Sequence, residues 1–393
     1  MLRSMYSGIS GMKNFQTKLD VIGNNIANVN TFGYKKGRVT FKDTMNQTIS
    51  GASAAQDNRG GKNPMQVGLG STIATIDTIH TGSSLQTTGR SLDLGIDGDG
   101  YFVVKQGDAQ FYTRAGNFYL DDRGTLVNGD GLKVQAYNQN NQLGDVVVDV
   151  NAVLAAKPTK NIDIIGNLTN TQSGFVVTQQ VKVIDNDGKA HSINIHLKKT
   201  STANQWDVYV NTSHPDDPSS PTRTTSFTGS TNPGTFDLDL DGDGTNDLTG
   251  LTLNVTQLTQ SNNASNAVID PDGYAEGKLE SFNIGAMGEI NGVYSNGEIN
   301  VLGQLALAEF SNTSGLTKAG NNLFQESINS GTANINVAGE GRGTIAAGSL
   351  EMSNVDLSEE FTEMITAQRG FQANTRIITT SDEILQELVN LKR

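Results

Sequence analysis

The chain contains no cysteine. That excludes disulfide staples, thiol nucleophiles and cysteine-ligated zinc or iron–sulfur centres. It also suits a protein that crosses compartments. Proline is scarce, at 7 of 393 residues, so the turns must rest on the 44 glycines together with Asn and Asp. Basic charge is short: 28 Lys and Arg stand against 41 Asp and Glu, a net charge of −13. Phosphate backbones need a basic face, so no nucleic-acid partner is expected. No apolar run reaches the roughly 18 residues of a transmembrane helix, and no membrane insertion is expected. The opening "MLRSMYSGISGMKNF" lacks the apolar core and cleavage site of a conventional signal peptide. The sequons at Asn167 and Asn211 therefore read as chance products of an Asn/Thr-rich composition.

Catalytic constellations are equally scarce. The histidines are His80, His191, His196 and His214, and His191 and His196 fall on opposite faces of one expected strand. No H-E-x-x-H, G-x-S-x-G or Walker A spacing occurs. The glycines of "GDGYFV" and "GEGRGT" read as turns. No enzymatic activity and no cofactor are expected. One segment resembles a metal loop. "DLDGDGTND" (239–247) sets Asp239, Asp241, Asp243 and Asp247 at positions 1, 3, 5 and 9 of a calcium loop, with Gly244 at 6. Position 12, where a bidentate Glu belongs, is Gly250. These four residues are weak calcium candidates, and an acidic turn on the surface is the simpler reading.

The two ends of the chain are alike. Leu2, Met5, Ile9, Met12, Phe15, Leu19, Ile22, Ile26 and Val29 follow steps of three and four, an apolar stripe on one helix face. Leu357, Phe361, Met364, Phe371, Ile378, Leu385 and Val389 do the same, with Gln368, Thr375 and Asp382 at the polar seam positions. Asp356 followed by Glu359 reads as a capping box, and Thr380 with Glu383 repeats the pattern where the helix could break. Gly8, Gly11 and Gly23 each cost about 1 kcal/mol relative to Ala in a helix. A stripe with nothing to pack on cannot offset the entropy of ordering its backbone. The arms must pack on each other, on neighbouring subunits, or on both.

Between the arms the period changes to two. Residues 101–116, 180–197, 206–210 and 251–255 read as strands, and "IDNDGKAHSI" as a hairpin with Asn186-Asp187-Gly188 at its tip. Residues 43–70 lack periodicity and read as a linker or extended loop, and 211–234 as a long exposed loop. The expected fold is mainly β with α-helical terminal arms. The N- and C-terminal helices pair as an antiparallel coiled-coil-like core, and the centre holds β-barrel or sandwich-like domains. The expected division is 1–40 with 350–393 as the helical part, 41–75 as linker or arm, 76–160 with 279–349 as an inner β domain, and 161–278 as an outer one.

The stretch "GNNIANVNTFGYKK" (23–36) crowds four asparagines at the end of the first helix. Asn30 and Gly33 suit left-handed backbone that stops a helix. Lys35 and Lys36 follow the C-terminal end, where positive charge is favoured.

"LDVIGNNIANVNTFGYKK" (19–36) resembles the N-terminal signature of the bacterial flagellar rod and hook family. "MITAQRGFQANTRIITTSDEILQELVNLKR" (364–393) and "GSLEMSNVDLSEEF" (348–361) resemble its C-terminal segment. "LDLGIDGDGYFVV" and "FYTRAGNFYLDDRGTLVNGDGLKVQAY" extend the likeness to about half the chain. The resemblance implies a structural homo-polymer whose terminal segments form the innermost tube, with β-domains stacked outward. It implies export without a cleaved signal, and an extracellular place in the hook or basal body. The large central insertion points to a hook-type subunit rather than a distal-rod one. Implied partners are further copies, the distal rod protein, the hook cap and the hook–filament junction proteins. The apolar positions of both arms, Gln368, and Asn24, Asn25 and Asn28 become expected subunit contacts, the amides bonding between neighbours in preference to backbone near the helix end. A calcium-binding adhesin is the reading from another class.

Overall fold

Two long helices and a mainly β interior make up the structure, a computed structural model that describes residues 2–54, 60–149, 151–169, 173–211, 225–238 and 248–391. Helix α1 spans Leu2–Ala27. Helix α2 spans Leu357–Asn390 and runs without a break through Thr380 and Glu383. Asp356 caps α2, its Oδ1 accepting from the Ser358 and Glu359 amides at 2.8 and 3.3 Å.

The helices pair antiparallel. Gly8 lies against Ile378 and Asn374, Gly11 against Asn374, and Gly370 against the Phe15 ring. Lys18 pairs with Glu363 at 3.1 Å along the same register. The seam is narrow because glycine lines it. A Cβ at Gly11 would stand 2.9 Å from the Asn374 amide, and one at Gly370 only 2.6 Å from Phe15. Of the glycines that weaken α1 as an isolated helix, Gly8 and Gly11 are what let α2 approach.

Residues 43–70 are not a loop without regular structure. Strand β1 (Gly37–Asp43) is followed by β2 (Asn46–Ser50), β3 (Met65–Gly68) and β4 (Ser71–Thr78). β1 pairs antiparallel with β4, and β2 with β3. Every residue of β2 and β3 is exposed. A ribbon wet on both faces carries no buried–exposed alternation, which is why period two is absent from its sequence. β1 and β4 are anchored to α1: Phe41 meets Phe15 edge-on at 6.1 Å, and Asn14 Nδ2 donates to Ser71 Oγ at 2.8 Å.

The chain divides into two compact units. The first holds residues 1–148, 283–290 and 301–393, and the second 149–282 and 291–300. In the first, strands 101–106 and 109–113 form a hairpin, as their alternation predicts. Strand 101–106 also pairs with 133–137 and with 299–309. Tyr101, Val103, Tyr112, Ala306, Ala308, Phe310 and Phe324 form its buried core.

The second unit is a sandwich. A four-stranded antiparallel sheet (176–184, 190–199, 205–211, 225–228) and a five-stranded mixed sheet around 161–169 share one core centred on Trp206. The 184–190 hairpin turns at Gly188, φ +84°. Strand 225–228 falls inside a stretch expected to be loop. The 239–247 acidic loop lies outside the described residues. Among the described residues no sheet closes into a barrel, so of the two expected β architectures the sandwich is the one present.

The narrow seam makes a prediction. Gly370→Val should force α2 away from Phe15 and destabilise the helix pair by about 1–3 kcal/mol. Urea unfolding followed by helical circular dichroism measures this, and an unchanged midpoint would contradict the packing described.

Candidate assembly surface

The root of the helix pair is an ion cluster sealed from water. Lys35 Nζ lies 2.7 Å from Glu351 Oε1, and Arg114 Nη1 lies 3.2 Å from Glu351 Oε2; none of the three side chains is more than 2% exposed. Lys35 Nζ also donates to the Thr81 carbonyl at 2.8 Å, and the Ser83 amide donates to Glu351 Oε1 at 3.2 Å. Burial pulls the Lys35 ammonium below its usual range, and the Glu351 charge opposes that pull. Lys35 is therefore not a surface charge beside a helix end, as its position past α1 suggests. It is one leg of a clamp joining α1 to the strand that carries Glu351. Lys36 bonds Glu359 of α2 at 2.7 Å.

Gly33 fits into the same joint. Its φ is +70°, and a Cβ there would stand 2.6 Å from the backbone of Arg114 and Ala115. Only glycine meets both demands. Its N–H donates to the Glu351 carbonyl at 2.8 Å. Asn30 is not left-handed.

The asparagines divide. Asn25 is 1% exposed. Its Nδ2 donates to the Gly37 carbonyl (2.8 Å) and to Glu360 Oε2 (3.1 Å), while its Oδ1 accepts from the Gly37 amide (2.9 Å) and the Tyr34 hydroxyl (3.3 Å). Its amide is fully used inside the chain, so of the two expected roles the bond to backbone near the helix end is the one present, and the bond to a neighbouring subunit is not available to it. Asn28 donates to the Asn24 carbonyl and side-chain oxygen, both at 2.9 Å, closing the helix locally. Asn24 remains exposed. Burial raises the Glu360 carboxyl above the usual range, with the Asn25 bond acting against it.

The apolar positions divide as well. Ile22 is buried, and Met5, Met12, Phe15, Leu19 and Ile26 are half-buried. On α2, Met364, Phe371, Ile378 and Leu385 are half-buried, with Ala367, Gly370, Asn374 and Ser381 completing the side toward α1. Leu357, Phe361 and Val389, expected on the seam, stand exposed at 40%, 50% and 67%, as does Ile9 at 47%. Gln368 is exposed, and the Leu2 side chain is outside the description. The sequence reading missed Tyr6, Ile365, Ile377 and Ile384, all exposed. All four fall off a strict three–four stripe; for the three isoleucines the signal is an excess of apolar residues around α2 rather than along one line. The arm adds Met45, Ile49, Met65 and Val67, also exposed.

Beside the clamp, Tyr101 OH and His80 Nδ1 are 2.7 Å apart. Burial and the Lys35, Lys318 and Arg114 charges hold the imidazole down at about 4. Among the described residues no cluster of His, Asp and Glu has the geometry to hold a metal.

Two predictions follow from the clamp. Glu351→Ala leaves Lys35 and Arg114 buried without a counter-charge and should cost about 3–5 kcal/mol in denaturant unfolding. The unfolded chain protonates His80 near 6.5 and the folded chain only near 4. Between those values the unfolded state binds more protons, so stability falls as pH drops through that window. His80→Gln should flatten that part of the stability–pH curve, and an unchanged slope would contradict the assignment.

Comparison with known proteins supplies the context. Residues 5–35 match the family described as Flagella basal body rod protein. Residues 95–208 match Flagellar hook protein FlgE/F/G D1 domain, and residues 346–391 match Flagellar basal body rod FlgEFG protein C-terminal. The chain is 38% identical to Flagellar hook protein FlgE of Treponema pallidum and 40% identical to that of Borreliella burgdorferi, each across the whole of both chains. It is 42% identical to Flagellar basal-body rod protein FlgG of Bacillus subtilis, again over both full lengths. The solved Helicobacter pylori flagellar hook protein FlgE2 shares the fold at 14% identity and a TM-score of 0.50, over 68% of this chain and all of that one. Matches at both ends and in the β region, with full-length relatives above 30% identity, place this chain in the flagellar hook and rod protein family.

Proposed function

We propose that the chain is the structural subunit of a flagellar hook, polymerising through its terminal helices into a curved tube that couples rod to filament. Hook-named relatives over the full length support the hook reading. One observation carries the polymer mechanism: α2 keeps two apolar patches that α1 does not cover. Leu357, Phe361 and Ile365 recur every fourth residue, and Ile377, Ile384 and Leu391 every seventh, all 40–82% exposed. At about 100° per residue the two sets point roughly 140° apart, on either flank of the seam. A helix with α1 on one side and an apolar patch on each flank is built to touch two different neighbours. Such contacts are heterologous, and heterologous contacts that do not close generate helical polymers. The exposed ribbon of β2 and β3 offers a further surface of the same kind.

The β units then form the outer part of the tube. Their surfaces are rich in Gly, Asn and Thr, and weakly apolar contacts between them can break and re-form as a subunit moves from the inside to the outside of a bend. The polymer would be extracellular, its subunits exported without a cleaved signal. It would meet the distal rod at one end, and the hook cap or the hook–filament junction proteins at the other.

The similarity to a rod-named relative supports a second reading, a distal-rod subunit with the same helix pair. The position of labelled protein in purified basal bodies separates the two. For the polymer itself, Ile365→Asp and Ile384→Asp each place a charge on one flank. Each should raise the concentration needed for tube formation at least about tenfold, the equivalent of about 1.4 kcal/mol, and leave the circular dichroism of the monomer unchanged. Deleting residues 357–393 should abolish tubes; tubes formed by that truncated chain would overturn the proposal.

A further inference from the structure

One five-residue turn is built four times. Asp121, Asn128, Asn138 and Asp185 each open it. In each case the side-chain Oδ1 accepts from the amides two and four residues on: Arg123 and Thr125, Asp130 and Leu132, Asn140 and Gln142, Asp187 and Lys189, all at 2.7–3.0 Å. The fourth position is left-handed every time, at Gly124, Gly131, Asn141 and Gly188. The turn therefore accepts a carboxylate or a carboxamide at its first position. Among the four, Asn128 alone is an asparagine followed by glycine, Gly129.

That pair has a chemistry of its own. A backbone nitrogen can attack the Cγ of the preceding asparagine when no side chain shields it and no hydrogen bond holds it. Gly129 is exposed, and a Cβ there would meet nothing within 4 Å. Among the described residues neither the Gly129 amide nor Asn128 Nδ2 has a hydrogen-bond partner. Nucleophile and leaving group are both free. Oδ1, in contrast, is held by two backbone N–H groups, the arrangement that stabilises an oxygen gaining negative charge. Asn128, Gly129 and Asp130 line part of a cleft of about 520 Å³, which gives water access to the pair.

The chain has two other Asn-Gly pairs, and each is blocked. Gly292, after Asn291, is buried within strand 289–294, whose extended backbone does not fold back on its own side chain. Asn296 is tied at both reacting groups: its Nδ2 donates to the Ala275 carbonyl at 2.7 Å, and the Gly297 amide donates to the Tyr294 carbonyl at 2.9 Å.

We propose that Asn128–Gly129 is a site of self-modification, where the carboxamide is lost as ammonia without an enzyme. The Gly129 nitrogen bonds to Asn128 Cγ and gives its proton to a solvent base. The Cγ–Nδ2 bond breaks, and Nδ2 takes up a proton and leaves as ammonia. The five-membered imide adds one water and opens at either carbonyl, to aspartate or to isoaspartate. No oxidant or reductant is involved. Aspartate keeps the turn, as Asp121 and Asp185 do. Isoaspartate lengthens the main chain by one carbon and disrupts the bond from the Asn128 amide to the Leu132 carbonyl, now 2.9 Å. Each copy thereby gains negative charge with age, whether or not it is part of a polymer.

The test ages the folded full-length chain in mildly alkaline buffer and maps its tryptic peptides. The 124–133 peptide is expected to gain the mass that separates an acid from an amide, in two chromatographic forms, while Asn291 and Asn296 keep their amides. In the chain unfolded by urea all three pairs should react at similar rates. Gly129→Val should slow the loss at Asn128 at least about tenfold, because a branched side chain shields the nitrogen. Asn128→Asp should melt as wild type does. A folded chain in which Asn128 keeps its amide as long as Asn291 and Asn296 do, or a folded Gly129→Val chain that loses it at the wild-type rate, would overturn the proposal.

Discussion

The narrow seam between the terminal helices is the constraint on which the rest depends. Gly8, Gly11 and Gly370 bring the two backbones close, with Asn374 and Ile378 of α2 and Phe15 of α1 packed directly against them. Such a seam consumes little of the apolar surface that the two arms carry. With glycine in place, the bulky residues are left on the flanks. In the proposed polymer the hydrophobic effect acts between chains on these flanks.

A polymer built this way must pass force from its helices to its β units. The Lys35–Glu351–Arg114 cluster is suited to that task. Buried ion pairs contribute little net stability, because desolvation offsets attraction, but breaking one by removing a partner is severe. The cluster therefore specifies geometry more than it strengthens the fold. Gly33 sits against the Arg114 backbone, and Asn25 ties the end of α1 to both Gly37 and Glu360. The helix end, the start of the arm and the start of α2 are held in one hydrogen-bonded joint. Bending is easier to place in contacts between copies than in this joint.

The helices and the hairpins at 101–113 and 184–190 were legible in the sequence, because each leaves a period or a turn residue behind; the pairing of the helices was one of the packings the two stripes left open, and the sandwich one of two expected β architectures. The family resemblance was legible because both ends carry long signatures. Four features were not. The β2–β3 arm is exposed on both faces and so leaves no alternation. The partner of Lys35 lies 316 residues away at Glu351, and no local pattern links a lysine after a helix to a glutamate before another. Asn25 looked like a polar contact for a neighbour, since helix-period reasoning says which residues share a face but not which polar face is covered by its own chain. The split of α2's apolar residues between seam and flanks was hidden for the same reason: small residues at 367, 370 and 374 set the seam, and a stripe traced through the large residues misses it.

The claim that α2 completes its burial only in the polymer is tested most directly by amide hydrogen exchange of residues 357–391, measured in dilute monomer and in assembled tubes. The account predicts fast exchange in the monomer, above all beyond residue 377, and slow exchange in the tube. Equal protection in both states would contradict it.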